Sequence, residues 1–150
     1  MDFFVDRIDK GSLPHLYYSK RYNWNRWFIC LWKWRKIVEV PAIINKNQVD
    51  VYKKGKWNYK INDDKIMVLH TLTVNLVSSH RGIWKKFVDF YENYAKKNNC
   101  IELRIYTNEK NKIAREFHKK IGYSEIGIVP TIFNGIPDVN LVLFEKYLEN

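Results

Sequence analysis

The clearest pattern of apolar and polar positions lies in the second half of the chain. Residues 66–74, IMVLHTLTV, are almost continuously apolar and rich in β-branched side chains, which is typical of a central strand buried on both faces. From Ile83 to Asn98 apolar positions recur at helical spacing, with charged residues on the opposite side. The pattern therefore predicts a strand and then an amphipathic helix whose apolar positions are Ile83, Phe87, Tyr91, Tyr94 and Ala95.

A second strand and a second helix follow. In residues 100–106, CIELRIY, apolar and polar side chains alternate, which predicts a strand. Asn108 and Glu109 mark the expected start of a helix, and Gly122, after a pair of lysines, marks its end. The expected apolar face of this helix consists of Ile113, Phe117 and Ile121.

Two more strands are predicted toward the end of the sequence. Residues 123–129 and 139–147 have strand-like composition. The segment between them contains the turn-forming residues Pro130, Asn134-Gly135 and Pro137, which predict a loop.

The first half of the chain is less regular. Residues 27–45 indicate two strands with a turn at Trp34-Arg35-Lys36, and residues 53–64 read as a polar connection. The segment before residue 26 has no sustained period, and Pro14 excludes a long helix across it.

The order of these elements predicts the fold class. Strand, helix, strand, helix and then a pair of strands imply a mixed α/β sheet with helices packed on it. No repeat or linker divides the chain, and 150 residues, 46% of them apolar, suffice for one core of ordinary size. We therefore expect a single α/β domain over residues 1–150.

The chain is strongly basic. Its 26 lysines and arginines and 16 acidic residues give a formal net charge of +10, which favours a polyanionic partner such as nucleic acid, an acidic membrane or a phosphorylated cofactor. The lysines alternate with asparagine and isoleucine along the whole chain, so a solvated basic surface is favoured over a nucleic-acid site.

The cysteines and the first residues argue against a disulfide-rich, metal-binding, secreted or membrane protein. Cys30 and Cys100 have no CxxC spacing and no histidine-rich neighbours, so we expect reduced core thiols and neither a disulfide framework nor a metal site. The start, MDFFVD, lacks the features of a signal peptide, and no uncharged apolar run approaches the ~18 residues of a membrane span. We expect a cytoplasmic protein that does not bind membranes.

Two motifs carry the candidate chemistry. A strand that turns into a helix presents unpaired backbone N–H groups at the positive end of the helix dipole, which suits a pyrophosphate. Residues 72–98, LTVNLVSSHRGIWKKFVDFYENYAKKN, resemble the cofactor motif of the GNAT acetyltransferases, an L-x-V strand end, a short loop and Q/R-x-x-G-x-G/A at the helix start. Residues 111–127, NKIAREFHKKIGYSEIG, resemble the second signature of that family, N-x-x-A-x-x-F-Y-x-K-x-G-F/Y.

The resemblance covers about residues 37–148 and implies a fold, a cosubstrate and a set of site residues. It implies a mixed, mostly antiparallel twisted sheet with flanking helices, acetyl-CoA as cosubstrate and no metal. The backbone of Leu72, Thr73 and Val74 is expected to pair with the pantetheine arm, and the Asn111 side chain to hydrogen-bond the cofactor. The residues expected to wrap the pyrophosphate are Ser79, His80, Arg81, Gly82, Ile83 and Trp84.

Two histidines are candidates for proton transfer. His118 falls where the family usually has a tyrosine that protonates the departing thiolate, and an imidazole with an ordinary pKa of about 6.5 can act as an acid near neutral pH. His70, two residues before Leu72, lies where the family often has a carboxylate or ordered water that deprotonates the amine. The structural alternatives are a hydrogen-bonded imidazole within the sheet for His70, a helix-surface residue for His118 and a helix-start residue for Asn111.

The pyrophosphate loop departs from the family pattern. Ser79 replaces a glutamine or arginine, His80 a frequent glycine, and Trp84 the small residue that lets phosphate oxygens approach the helix. The indole either turns outward or blocks the cofactor, and a packing role for Trp84 is favoured over stacking on the adenine ring. Arg81 remains a candidate for a charge-assisted phosphate contact.

The amino-terminal third departs as well. Residues 22–36, YNWNRWFICLWKWRK, interleave tryptophans with cations, as a single-strand nucleic-acid platform or a membrane-surface segment would. A strand with core aromatics and a solvated turn is favoured, and the same segment could cover the surface of a partner in a homodimer. About the first 25 residues stand where the family usually has the strand and helices that form the acceptor-site wall, so the acceptor is left open as a small-molecule or peptide amine.

The function expected from the sequence is acetyl-CoA-dependent N-acetyl transfer to a primary amine by direct attack on the thioester. Positioning and proton transfer suffice for this chemistry, so no metal is expected. The alternatives are a catalytically impaired CoA-binding remnant of the family and a basic nucleic-acid-binding module that reuses the fold.

Overall fold

The computed structural model describes residues 16–20, 28–34, 37–72, 83–133 and 135–149, with side chains from Ala42 onward except those of Thr71 and residues 83–86. These residues belong to two compact units. The first unit comprises the chain up to Asn45 and residues Leu69–Tyr94, and the second comprises Lys46–Val68 and Ala95–Asn150. The single domain expected from the sequence stays a prediction.

The first unit contains an antiparallel meander. Strand β1 (Leu16–Lys20) pairs with β2 (Phe28–Trp34), and β2 pairs with β3 (Ile37–Asn45). Trp34 pairs with Ile37, so β2 and β3 meet where the sequence predicts a turn. The two predicted strands of this region are confirmed, and the residues between them lie outside the described ranges.

Strand β4 (Ile66–Leu72) begins in the second unit and ends in the first, and helix α1 (Ile83–Lys97) begins in the first and ends in the second. The predicted start of the helix at Ile83 is confirmed. Its apolar stripe is buried, since Phe87 and Tyr91 are each 1% exposed and their rings, one helical turn apart, stack with centroids 6.2 Å from each other.

The second unit has the strand order β4, β5, β7, β6. Strand β7 (Ile136–Tyr147) pairs antiparallel with both β5 (Glu102–Asn108) and β6 (Ser124–Phe133). The N–H of Ile101 donates to the carbonyl oxygen of Lys65 at 2.9 Å, so β4 and β5 start side by side and run in the same direction. The predicted mixed, mostly antiparallel sheet is confirmed.

Helix α2 (Lys112–Lys120) begins later than the sequence predicts. Asn108 is still the last residue of β5, and its Oδ1 accepts a hydrogen bond from the backbone N–H of Lys110 at 2.9 Å, which forms a turn before the helix. The predicted apolar face is wrong at Ile113, which is 86% exposed, whereas His118 is 5% exposed. The inward face of the helix is therefore centred on a histidine.

Strands β6 and β7 form a tight hairpin where the sequence predicts a longer loop. Phe133 pairs with Ile136, and Gly135 has a φ of +79°, as a glycine in a tight hairpin turn requires. Pro130 and Pro137 therefore lie inside strands. Pro130 is tolerated because β6 is the last strand in the order of this unit and needs no hydrogen-bond partner on one side.

Residues 46–65, here called the strap, link β3 to β4 and include a short 3₁₀ helix at Asp50–Lys54. Most of residues 53–64, the predicted polar connection, are exposed, but Trp57 and Ile61 are partly buried and pack against the core. Cβ at Gly55 would lie 2.8 Å from the Trp57 ring, which shows how closely the strap approaches its own tryptophan. Tyr52 of the strap belongs to a core with Ile66, Val68, Val129 and Leu143. The residues packed against this core are Val49, Val51, Trp57 and Ile61 of the strap, together with Tyr106 and Ile126.

Candidate functional site

The predicted cofactor segment runs from the end of β4 to the start of α1. Leu72 is the last residue of β4 and is half-buried, and Ile83 and Trp84 open α1, with only their backbone described. The predicted contacts of the side chains of Ile83 and Trp84 therefore stay predictions. The predicted residues that lie outside the described ranges are Thr73, Val74, Ser79, His80, Arg81 and Gly82.

The first turn of α1 has the electrostatic character that a phosphate group needs. It contains no acidic residue, while the last turn carries Lys96 and Lys97. The N-terminus of a helix carries a partial positive charge, and its first N–H groups have no partner within the helix. An acidic side chain at this position would compete with a phosphate, so its absence from the first turn of α1 fits the pyrophosphate of CoA.

His70 lies in the part of β4 that belongs to the first unit. Its Nε2 is 2.6 Å from Oδ1 of Asn45, the last residue of β3. With that oxygen as acceptor, Nε2 carries the proton and Nδ1 carries the lone pair of the neutral ring. Burial lowers the pKa of His70, so the ring is neutral at pH 7. The hydrogen-bonded imidazole of the structural alternative is therefore present, and it is compatible with a role as a base.

Asn111 caps helix α2. Its side-chain oxygen accepts a hydrogen bond from the backbone N–H of Ala114 at 3.1 Å, which satisfies one of the unpaired donors of the first turn. The side chain is otherwise exposed. The helix-start role is therefore observed, and the predicted hydrogen bond from Asn111 to the cofactor stays a prediction.

His118 lies seven residues after Asn111, about 10 Å along the helix and close to the same face. Its ring packs against three aromatic rings, those of Phe117, Tyr123 and Phe144, with the Phe144 centroid 5.3 Å away. Nδ1 is buried and has no hydrogen-bond partner among the described residues. The alternative of a helix-surface histidine is wrong, because this side chain faces the sheet.

The surroundings of His118 determine its protonation. Burial among aromatic rings lowers the pKa of His118 from 6.5 to about 4, because the imidazolium form loses its hydration and gains no counter-charge. The ring is therefore neutral at pH 7. A neutral imidazole donates a hydrogen bond through one nitrogen and accepts one through the other.

The end of α2 is fixed to the sheet just beyond His118. Gly122 has a left-handed φ of +91°, and the N–H groups of Gly122 and Tyr123 donate to the carbonyl oxygens of Lys119 and His118. This is a Schellman ending. The Lys146 ammonium of β7 also donates to the carbonyl oxygen of Ile121 at 2.7 Å, which ties the helix end to the strand that carries Phe144.

The sequence did not reveal a buried polar cluster on the other face of β5. Nε of Arg104 contacts Oε1 of Glu102 at 2.6 Å, its guanidinium lies 3.7 Å from the ring centre of Trp57, and Nη1 donates to Oε1 of Gln48 at 3.2 Å. Burial raises the pKa of Glu102 above its ordinary value. The hydrogen bond and positive charge of Arg104 lower this pKa, and the negative charge of Glu145 raises it. Alternating polar residues in β5 were the only sequence signal, and they resemble an ordinary solvent face.

Glu145, which pairs with Arg104 across the two strands, anchors the strap. It is 1% exposed and accepts hydrogen bonds from the backbone N–H of Asn58, at 3.1 Å, and from the Asn58 side-chain amide. The indole N–H of Trp57 donates to the carbonyl oxygen of Tyr52 at 2.8 Å. Successive strap residues are therefore held by separate hydrogen bonds.

The part of the chain that the structure describes contains no group of three or more His, Cys, Asp or Glu side chains placed to hold a metal ion. None of its helices is both long and apolar enough to cross a bilayer. Cys100 is a buried free thiol, as predicted, and the Cys30 side chain is not among those described.

Sequence comparisons with known proteins find no relative. No family model matches the chain, and no curated protein matches it.

Many solved structures share the fold of this chain. Ard1 from Thermoplasma volcanium has a TM-score of 0.62 at 12% identity, over 83% of this chain and 71% of that chain. An IAA acetyltransferase from Bacillus cereus has a TM-score of 0.60 at 16% identity, over 82% and 79%. A GNAT family acetyltransferase from Elizabethkingia anophelis, with acetyl-CoA bound, has a TM-score of 0.59 at 15% identity, over 81% and 76%. The GNAT-like fold that the sequence motifs imply is therefore confirmed.

Proposed function

From the fold that this chain shares with GNAT acetyltransferases, we propose that it binds acetyl-CoA and transfers the acetyl group to a primary amine. The observation that carries the proposal is the fold likeness over more than four fifths of the chain. Two sequence motifs at the family's separation support it independently, because they fall at the start of α1 and along α2.

Each unit has a helix start with groups that can bind the cosubstrate, and the two are described separately. The first turn of α1, opened by Ile83 and free of acidic residues, suits a diphosphate. Asn111 has its oxygen committed to the helix cap, so its NH₂ group is the part of the side chain that can donate to a ligand carbonyl. Acetyl-CoA would supply the activated thioester. The described residues would orient it, accept a proton from the amine and stabilise the departing thiolate.

His70 is the proposed base. A primary amine that is protonated at neutral pH must lose a proton before its nitrogen lone pair can attack a carbonyl carbon, and a neutral imidazole can accept that proton within hydrogen-bond distance or through one water. The lowered pKa of His70 keeps the ring neutral at physiological pH, and the contact with Asn45 sets which nitrogen has the lone pair. Asn45 would therefore act as a positioning residue for His70.

His118 is the proposed partner of the departing thiolate. With a pKa of about 4 it is not a proton donor at pH 7 while its surroundings are apolar. A negative charge next to the ring would raise this pKa, because the imidazolium would gain the counter-charge that burial denies it. Nδ1 has no hydrogen-bond partner among the described residues, and because it is buried, a thiolate would have to displace a neighbouring ring to reach it.

The test is calorimetric titration with acetyl-CoA, followed by thiol release with a panel of small amines and amine-bearing peptides. We expect saturable binding and thiol release that depends on the amine. His70→Gln should lower kcat by about 10²- to 10⁴-fold with little change in CoA affinity. Lys120→Gln, an exposed change on α2, serves as the control. Failure of the full chain to bind acetyl-CoA would refute the proposal.

A second candidate is a CoA-binding protein without turnover. The depressed pKa of His118 favours it, because a neutral buried ring is a weak acid. Saturable CoA binding without thiol release for any amine would support this candidate over the enzyme. In that case His118→Gln should leave CoA affinity unchanged, whereas in an active enzyme it should lower kcat.

A further inference from the structure

A group of exposed cations and aromatic rings lies on the strap and on the end of β7. We call it the lysine-tyrosine patch, and it consists of Lys54, Lys56, Lys60, Tyr59 and Tyr147. The rings of Tyr59 and Tyr147 stack with centroids 4.9 Å apart and an interplanar angle of 28°, although the residues are 44% and 43% exposed. A stacked pair that keeps this much exposure presents a flat aromatic surface to solvent.

The lysines of the patch have no ion-pair partner among the residues that the structure describes. Lys54, Lys56 and Lys60 are exposed, and none of them forms an ion pair with another residue in the described ranges. Nearby Asp50 is engaged by Lys53 at 2.8 Å. The next acidic residues along the chain, Asp63 and Asp64, follow Lys60 in a separate 3₁₀ helix. The segment from Lys54 to Lys60 therefore carries three unopposed positive charges.

The anchors described above hold this segment in place. Trp57 packs onto Arg104, and the exposed Asn58 is hydrogen-bonded to the buried carboxylate of Glu145. These two contacts fix the strap at Trp57 and Asn58, and Lys56, Tyr59 and Lys60 on either side are exposed. Tyr147 follows Glu145 by two residues on β7, which places it on the same face of the sheet. The buried carboxylate of Glu145 thus fixes the strap next to Tyr147 and brings the two rings together.

From this arrangement we propose that the lysine-tyrosine patch binds single-stranded nucleic acid without sequence preference. Cations that follow a backbone and aromatic rings on which bases stack are the two elements of such sites. An acidic membrane would use the cations but would need aliphatic side chains to insert, and the exposed part of the patch has none. The patch is distinct from residues 22–36 and does not depend on acetyl transfer.

The test is fluorescence anisotropy of a labelled oligothymidylate with the full chain, at about 50 and about 200 mM salt. The variant Lys54→Gln/Lys56→Gln/Lys60→Gln removes the cations, and Lys97→Gln/Lys110→Gln/Lys120→Gln is its charge-matched control on other exposed lysines. Each phosphate contact contributes about 0.7 to the slope of log affinity against log salt for a single strand, so the patch variant should lose about 2 from that slope. The control should lose much less.

Stacking is tested separately. Tyr59→Ala should weaken oligothymidylate binding about tenfold, whereas Tyr59→Phe should retain it, because a phenyl ring stacks as well. Inorganic polyphosphate, which has charges and no bases, should bind Tyr59→Ala and the unmodified chain equally. Circular dichroism confirms that each variant is folded.

Three results would overturn the proposal. The first is equal loss of affinity in the patch and control variants, which would mean that only net charge matters. The second is unchanged oligothymidylate binding by Tyr59→Ala. The third is binding to phosphatidylserine vesicles, lost in the patch variant, without binding to the oligonucleotide.

Discussion

The buried imidazole of His118 makes the stability of the second unit depend on pH. In the unfolded chain this side chain takes up a proton as the pH falls through about 6.5, whereas in the folded state it does so only near 4. Between these values the unfolded state binds more protons, so the free energy of unfolding decreases as the pH falls. The full stability is present above pH 6.5.

The size of the effect follows from the same values. At about 1.4 kcal/mol per pH unit, the window from about 6.5 to about 4 amounts to about 3 kcal/mol. This is a large part of the 5–15 kcal/mol typical of a folded domain. The contribution of His70, whose pKa is also lowered, has the same sign.

The assay compares the unmodified chain with His118→Leu by urea denaturation at a series of pH values from 7.5 to 4.5. Leucine cannot titrate, so over this pH range the difference in unfolding free energy between the two proteins should shift by about 2.5 kcal/mol in favour of the variant as the pH falls. All other groups titrate in both proteins and cancel in the difference. Separately, the ring-proton NMR signal of His118 should titrate near pH 4. A difference that stays constant with pH, or an NMR titration near 6.5, would refute the burial argument.

Other substitutions test the packing. Gly122→Ala should lower stability by about 1–2 kcal/mol in urea denaturation, because φ is +91° there; an unchanged midpoint would contradict the Schellman ending. Gly55→Ala should cost about 1–3 kcal/mol and alter tryptophan fluorescence, because Cβ would lie 2.8 Å from the Trp57 ring; a silent change would mean that the strap is loose. Arg104→Met should cost about 3–5 kcal/mol by leaving Glu102 buried and unpaired, and Glu102→Leu/Arg104→Met should recover most of it; equal losses in both would argue against a buried pair.

Sequence periodicity identified the elements whose conformation is determined by residues close to one another in the sequence. The stripe of Phe87 and Tyr91 and the left-handed glycine at Gly122 are set within one or two helical turns, and the structure confirms both. The length of the β6–β7 hairpin was underestimated because Pro130 resembled a loop residue. Only the position of β6 at the end of the strand order makes that proline acceptable in a strand.

Burial of polar side chains was not predictable in the same way. Glu102 and Arg104 alternate with apolar residues as a solvent face does, and nothing near them in sequence shows that the strap covers them. The same limit applies to His118. The apolar pattern of the helix predicts that Ile113 faces the core. In the structure His118 faces the core instead, in contact with Phe144. The depressed pKa of this candidate catalytic group is therefore a property of tertiary packing.

The place of β7 between β5 and β6 has a consequence for biosynthesis. β7 is the last of these strands to leave the ribosome, yet it supplies the inner partner of both others. Until it emerges, each of them has an open edge, and the Glu145 contact with Asn58, 87 residues earlier, cannot form. Such distant contacts slow folding, so nascent chains that stop short of β7 should depend on chaperones and aggregate without them.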